Sequence, residues 1–115
     1  MNWVLTGSIS ALLAVVMGAF GAHAVSSRVS ERSLEIYQTA AQYQMYHALA
    51  MIAVGLWARN TGFAGWCFLL GTIVFSGSLY ALALTDIKIL GAITPIGGVF
   101  FIAGWALFAW SAYGK

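Results

Sequence analysis

Long apolar runs separated by short polar segments dominate the chain. They occupy about 3–24, 39–58, 64–84 and 90–113. A helix of about 20 apolar residues crosses the roughly 30 Å hydrocarbon core of a bilayer, whereas barrel strands would alternate over about ten residues. The pattern therefore predicts an all-α fold, an integral membrane four-helix transmembrane bundle.

Composition and charge agree with this pattern. Hydrophobic residues make up 62% of the 115 positions and charged residues only 7%, against about 25% charged residues in soluble domains. We therefore predict one transmembrane domain over 1–115, placed as a multi-pass protein in a cell membrane. The charged residues lie in or beside the predicted loops: Arg28, Glu31, Arg32, Glu35, Arg59, Asp86, Lys88 and Lys115.

Several partner classes are not expected. The net charge of +2 is small and dispersed, and reading a nucleic-acid backbone requires a basic patch. Cys67 is the single cysteine, so it has no partner for a disulfide or a metal site. His23 and His47 are offset in depth along their helices, which argues against a shared haem or metal within one subunit. We expect no nucleic acid, metal or cofactor.

The charges of the first loop place it at or above the membrane surface. The segment 28–37 carries two arginines and two glutamates and is predicted to be a short interfacial segment ahead of helix two. Arg28, Arg32 and Lys88 outnumber Arg59 and Lys115, so the positive-inside rule favours the first and third loops in the cytoplasm.

Small residues recur at helical spacing and predict close packing. Helix one places them at steps of four and three, which form one face that lets another backbone approach. Helices three and four also carry small residues at helical spacing. The predicted packing positions are Gly7, Ala11, Ala14, Gly18, Gly21, Gly71 and Gly98.

The only proline follows Thr94 near the start of helix four. Pro95 either begins a helix or interrupts one, because it lacks a backbone N–H. Irregular backbone at membrane depth must be buried in protein or line a cavity. The sequence therefore predicts an irregular, inward-facing backbone near Pro95.

Helix two is unusually polar for a membrane span. Projection at about 100° per residue places Met45, Leu49, Ile52 and Leu56 on a lipid-facing stripe. Tyrosines and a histidine fall on the opposite arc, flanked by Gln42 and Gln44. Intramembrane polar groups of this kind either form a functional site or only hydrogen-bond across the bundle. The candidate polar site comprises Thr39, Gln42, Tyr43, Tyr46, His47, Ser78 and Thr94.

Four blocks of sequence resemble a known family. They are GAFGAHA (Gly18–Ala24), YQTAAQYQMYHALA (Tyr37–Ala50), FSGSLYALALT (Phe75–Thr85) and LGAITPIGGVFFIAGW (Leu90–Trp105). Together they resemble the bacterial YgdD family, or domain of unknown function 423, over essentially the whole chain. The resemblance implies a small multi-pass inner-membrane protein and supplies no catalytic residues.

Three classes of function remain. We rank first a non-enzymatic bundle that binds a lipid, a quinone or a membrane protein partner, as a homo-oligomer or within a larger complex. The alternative is a small transporter or channel using His47, since histidine titrates near neutral pH. An enzyme ranks last, because the chain lacks a Ser-His-Asp set, a metal cluster and a nucleotide loop.

Overall fold

Four helices account for almost all of the structure. The computed structural model describes residues 1–57 and 62–113. The helices are α1 (Trp3–Val25), α2 (Glu31–Trp57), α3 (Gly62–Thr85) and α4 (Leu90–Tyr113), and no strand occurs within these two ranges. Helices α1, α3 and α4 are long and apolar enough to cross a membrane. The all-α membrane fold is confirmed.

Helix α2 begins earlier than the apolar run. It starts at Glu31 rather than near Thr39, so most of the predicted interfacial segment is its first two turns. Ser30 Oγ accepts a hydrogen bond from the Ser33 N–H at 3.1 Å, which caps the helix. Because no glycine or proline interrupts the chain between Glu31 and Thr39, the helix continues from the charged turns into the apolar ones.

Each helix packs against its neighbours in the chain. Helix α2 lies against α1 on one side and α3 on the other, and α3 also packs against α4. One apolar core cluster lies towards the amino-terminal end of α1, where the Trp3 and Trp66 rings meet edge to face at 5.3 Å. A second lies at the opposite end of the bundle, around Val25, Tyr37 and Ala83.

The small-residue face of α1 meets α2 along only part of its length. A Cβ added at Gly7 would lie 2.6 Å from the Ala48 carbonyl oxygen, and one at Gly21 would meet the Tyr37 ring. Ala14 is buried and Ala11 half-buried. Gly18, however, is exposed, and an added Cβ would meet nothing within 4 Å.

The packing prediction is therefore wrong for Gly18. The buried positions 7, 14 and 21 recur every seven residues, which is the spacing of a left-handed helix crossing. An ideal helix drifts by about 20° per heptad relative to such a contact line. The line of contact with α2 thus moves away from Gly18, although Gly18 and Gly7 share a face on a straight helical projection.

Glycines also set the contact between α3 and α4. Gly71 faces the Phe101 ring, whereas Gly97 and Gly104 bring α4 against Phe75 and Phe68. Gly98 has nothing within 4 Å of an added Cβ, so its prediction as a packing position is also wrong. Gly97, the preceding residue, makes the close contact with α3, and Gly98 lies beside open space.

Pro95 does not break α4. The helix runs without interruption from Leu90 to Tyr113, and Pro95 is exposed, so the predicted irregular, inward-facing backbone is wrong. At the start of the helix, the Leu90 and Gly91 N–H groups donate i to i+3 hydrogen bonds to the carbonyls of Ile87 and Lys88. The proline therefore sits close to the loop, where only the Gly91 carbonyl loses its helical donor.

Two π-helical turns were not predicted from the sequence. One ends α1 over Gly21–Val25, and the other lies inside α3 over Thr72–Ser76. The second is a single turn that shifts the helical register of α3 by one residue. Within it the Ser76 hydroxyl donates a hydrogen bond to the Ala40 carbonyl of α2 at 2.8 Å. The turn thus joins α3 to α2.

Two glycines on the same helix test the α1–α2 contact. Gly7→Leu should destabilise the protein by about 1–3 kcal/mol, because the new side chain meets the Ala48 backbone. Gly18→Leu, the matched control, should leave stability unchanged. Thermal unfolding of both variants in mild detergent measures the difference. Equal stability of the two variants would contradict the contact described above.

Candidate grooves on either side of α2

The buried imidazole of His47 is held by two hydrogen bonds. Its Nδ1 lies 2.8 Å from the Tyr43 carbonyl oxygen one turn earlier, and its Nε2 lies 3.0 Å from Trp105 Nε1 of α4. A carbonyl can only accept and an indole N–H can only donate. The hydrogen is therefore on Nδ1, Nε2 is the acceptor, and the imidazole is neutral.

Aromatic rings enclose the same imidazole. The ring of Phe101 stacks on it with a centroid separation of 3.5 Å and an interplanar angle of 7°. Phe68 and Trp105 flank it at 5.6 and 5.9 Å. With only 4% of its surface exposed, His47 is a packed residue that joins α2 to α4.

An open groove lies between α2 and α4 beside His47. We call it the aromatic groove; its volume is about 450 Å³. Six of its lining residues carry rings, while Gly98 leaves room at its wall. The lining residues are Tyr43, Tyr46, His47, Phe75, Gly98, Phe101, Ile102 and Trp105.

Two tyrosine hydroxyls at the aromatic groove are free of protein partners. Within residues 1–57 and 62–113, neither the Tyr43 nor the Tyr46 hydroxyl makes a hydrogen bond. Both side chains are partly exposed, Tyr46 by 51%. Their O–H groups can therefore donate to an occupant of the groove.

Gln44 lies at the centre of a second polar contact. Its Nε2 donates to the Ser10 carbonyl of α1 at 3.1 Å, and its Oε1 accepts from the Tyr80 hydroxyl of α3 at 2.7 Å. One side chain of α2 thus links three helices. Tyr37 adds a further link, because its hydroxyl donates to the Met17 carbonyl at 2.7 Å.

A second groove lies between α1 and α3, on the other side of α2. We call it the polar-floored groove; its volume is about 470 Å³. Apolar side chains of Ile9, Leu13, Leu69 and Ile73 form its walls. Its floor is polar and consists of Ser10, Gln44, Thr72, Ser76 and Tyr80.

The structure brings together only part of the predicted polar site. Tyr43, Tyr46 and His47 meet at the aromatic groove. Ser78 and Thr94 bond to each other at 2.6 Å between α3 and α4, but neither lines this groove. Their hydroxyls join two helices at another position in the bundle.

Thr39 and Gln42 do not belong to this site, contrary to expectation. The Thr39 hydroxyl donates to the Glu35 carbonyl of its own helix at 3.0 Å, and Gln42 is exposed. The buried face of α2 is centred on Ala40, Gln44, His47 and Met51. Gln42 therefore points away, whereas Gln44, predicted only to flank the site, points inward.

Several residues of the two grooves were missed in the sequence. Phe101 and Trp105 are four residues apart on α4, so they lie on one helix face. This spacing could have identified them as a pair from the sequence. Tyr80 and Ser76 had no such signal, because the π-helical turn shifts the register of α3. Among the residues that the structure describes, no group of three potential metal ligands occurs.

Two glutamines of α2 provide a matched test of the buried link. Gln44→Leu removes the hydrogen bonds to α1 and α3 and leaves the Tyr80 hydroxyl unpaired. At about 0.6 kcal/mol for each intramembrane hydrogen bond, we expect a loss of about 1–2 kcal/mol. Gln42→Leu should have no such effect. Thermal unfolding in detergent compares them, and a neutral Gln44→Leu would show that the link is dispensable.

Comparison with known proteins places the chain among small membrane proteins. The family model described as "Protein of unknown function (DUF423)" matches residues 17–98. A UPF0382 membrane protein of Staphylococcus haemolyticus is 44% identical over 115 residues, covering 96% of this chain and 94% of that protein. The UPF0382 membrane protein YwdK of Bacillus subtilis is 46% identical over 111 residues, covering 91% and 90%.

No solved structure matches the chain. The family match covers most of the chain, and the relatives align over nearly their full length. The resemblance seen in the four sequence blocks is therefore confirmed, and the chain is a membrane protein that belongs to the DUF423 family.

Proposed function

We propose that this protein is a non-enzymatic component of the bacterial cytoplasmic membrane that binds a quinone in the aromatic groove. The observation that carries the proposal is the open groove of six ring-bearing side chains between α2 and α4. Its volume of about 450 Å³ lies within the range of small-molecule sites, about 300–1,000 Å³.

The chemistry of the lining favours a ring that carries carbonyl groups. Flat rings stack favourably on the faces of aromatic side chains, and Tyr43, Phe75 and Phe101 form a contiguous set with centroids 4.8 to 6.3 Å apart. The Tyr43 and Tyr46 hydroxyls supply donors, and quinone carbonyls can only accept. A plain acyl chain would leave both hydroxyls unused.

The hydrogen bonds of His47 argue against the alternative of a proton transporter. Both ring nitrogens are occupied, one by a carbonyl and the other by an indole N–H. Protonation of Nε2 would place two N–H donors against each other. Proton transfer through His47 would therefore require the contact with Trp105 to break first.

Quinone binding can be measured by quenching of tryptophan fluorescence. We expect decylubiquinone to quench the purified protein in detergent, because Trp105 lines the aromatic groove. Gly98→Leu should weaken this binding by about tenfold, equivalent to about 1.4 kcal/mol. A Cβ added at Gly98 meets nothing within 4 Å, so we expect the leucine side chain to extend into the groove without disturbing the helix packing.

Gly18→Leu is the matched control, because Gly18 is equally open and lies away from the groove. Equal quinone affinity of the two variants would contradict binding at this site. Mass spectrometry of lipids and proteins that co-purify with the wild type identifies a competing occupant. A stoichiometric protein partner without quinone would favour a membrane complex instead.

The transporter alternative has a separate test. With an imposed pH gradient, proteoliposomes of the wild type and of His47→Phe should show the same proton flux. We expect this because the neutral imidazole is fully bonded within the bundle. Flux that depends on His47 would establish the alternative.

A further inference from the structure

The polar-floored groove is lined by a hydroxyl that makes no hydrogen bond within the described residues. Ser10 is only 9% exposed, and its Oγ, which is open to the groove, has no hydrogen-bond partner among residues 1–57 and 62–113. In an apolar environment a polar group without a partner is costly. The Ser10 hydroxyl thus offers a donor and an acceptor to an occupant.

The adjacent amide offers a second donor. Gln44 uses one Nε2 hydrogen for the Ser10 carbonyl and its Oε1 for Tyr80. A glutamine amide has two N–H donors, and the other has no partner in the described part of the chain. The floor therefore presents unused hydrogen-bonding groups on two helices, α1 and α2.

The lining of this groove carries no charged side chain. An ionised head group held here would have no counter-charge, and a charge buried without a partner in the membrane is costly. Uncharged hydroxyl and amide groups instead match a hydroxyl or a carbonyl. The floor thus selects against fatty acids and phospholipid head groups.

The size and shape of the groove suit a single hydrocarbon chain. From Leu69 to Tyr80 it follows α3 for about 16 Å at 1.5 Å per residue. Its volume of about 470 Å³ lies within the range of small-molecule sites, about 300–1,000 Å³. An extended lipid chain can lie along this length with its polar end at the floor.

We propose that the polar-floored groove is a second binding site, which holds an uncharged lipid through a hydroxyl group bonded to Ser10 and Gln44. This site is separate from the aromatic groove, because the two grooves have no lining residue in common. The chain of the lipid packs between the apolar walls contributed by α1 and α3. The proposal does not depend on the occupant of the aromatic groove.

Three probes with similar chains and different ends test the proposal. The purified protein in detergent is incubated with oleyl alcohol, octadecene or oleic acid at alkaline pH, and native mass spectrometry counts the bound molecules. We expect oleyl alcohol to bind about threefold to tenfold more tightly than the other two, the effect of one hydrogen bond in a membrane. Equal binding of all three, or a preference for oleate, would overturn the proposal.

Matched variants locate the site. Ser10→Ala should reduce the preference for oleyl alcohol over octadecene, because one of the two proposed hydrogen bonds is lost, whereas Ser8→Ala, at an exposed position of the same helix, should not. Gly77→Leu should abolish binding of both, because Gly77 lines the groove and an added Cβ meets nothing within 4 Å. Retention of oleyl alcohol by a folded Gly77→Leu protein would refute this location.

The same variants separate the two sites. Gly77→Leu should leave quinone quenching unchanged, and Gly98→Leu should leave oleyl alcohol binding unchanged. Loss of oleyl alcohol selectivity with intact quinone binding would therefore count against the second site alone. If Gly98→Leu removed oleyl alcohol as well, the alcohol would occupy the aromatic groove and the second site would be refuted.

Discussion

In the hydrocarbon core of a membrane no water can satisfy an amide, and this constraint organises the molecule around Gln44. Its side chain is buried and bonds to a backbone carbonyl of α1 and a hydroxyl of α3. Neither partner can move away without leaving a polar group unpaired. The least apolar helix of the four, α2, is for this reason the one on which α1 and α3 both pack.

The other hydrogen bonds between α2 and its neighbouring helices follow the same rule. Tyr37 and Ser76 both donate to backbone carbonyls of a neighbouring helix, and Trp105 donates to His47. Each of these bonds is individually modest. Distributed along α2, they fix its depth and rotation relative to all three other helices, which apolar packing in lipid specifies poorly.

Close approach at a few glycines and separation elsewhere leave the aromatic groove and the polar-floored groove beside α2. The backbones of α1 and α2 meet at Gly7, and those of α3 and α4 meet at Gly97. Where helices that are not neighbours in the chain diverge, space remains on either side of α2. One space is lined by rings and the other has an uncharged polar floor, so the two favour different ligands.

The sequence alone determined that the chain is an all-α membrane protein, because length and apolarity of a helix depend only on consecutive residues. It also indicated that Tyr43, Tyr46 and His47 lie close together, since all three fall on one arc of the same helix, and they line one groove. Tertiary structure decided that Gly18 faces open space, because the contact line drifts along a seven-residue repeat. It also decided that Gln44 rather than Gln42 faces inward, and that Phe75, Phe101 and Trp105 surround His47. These outcomes depend on helix rotation, crossing and a π-helical turn, which are set by contacts between distant residues.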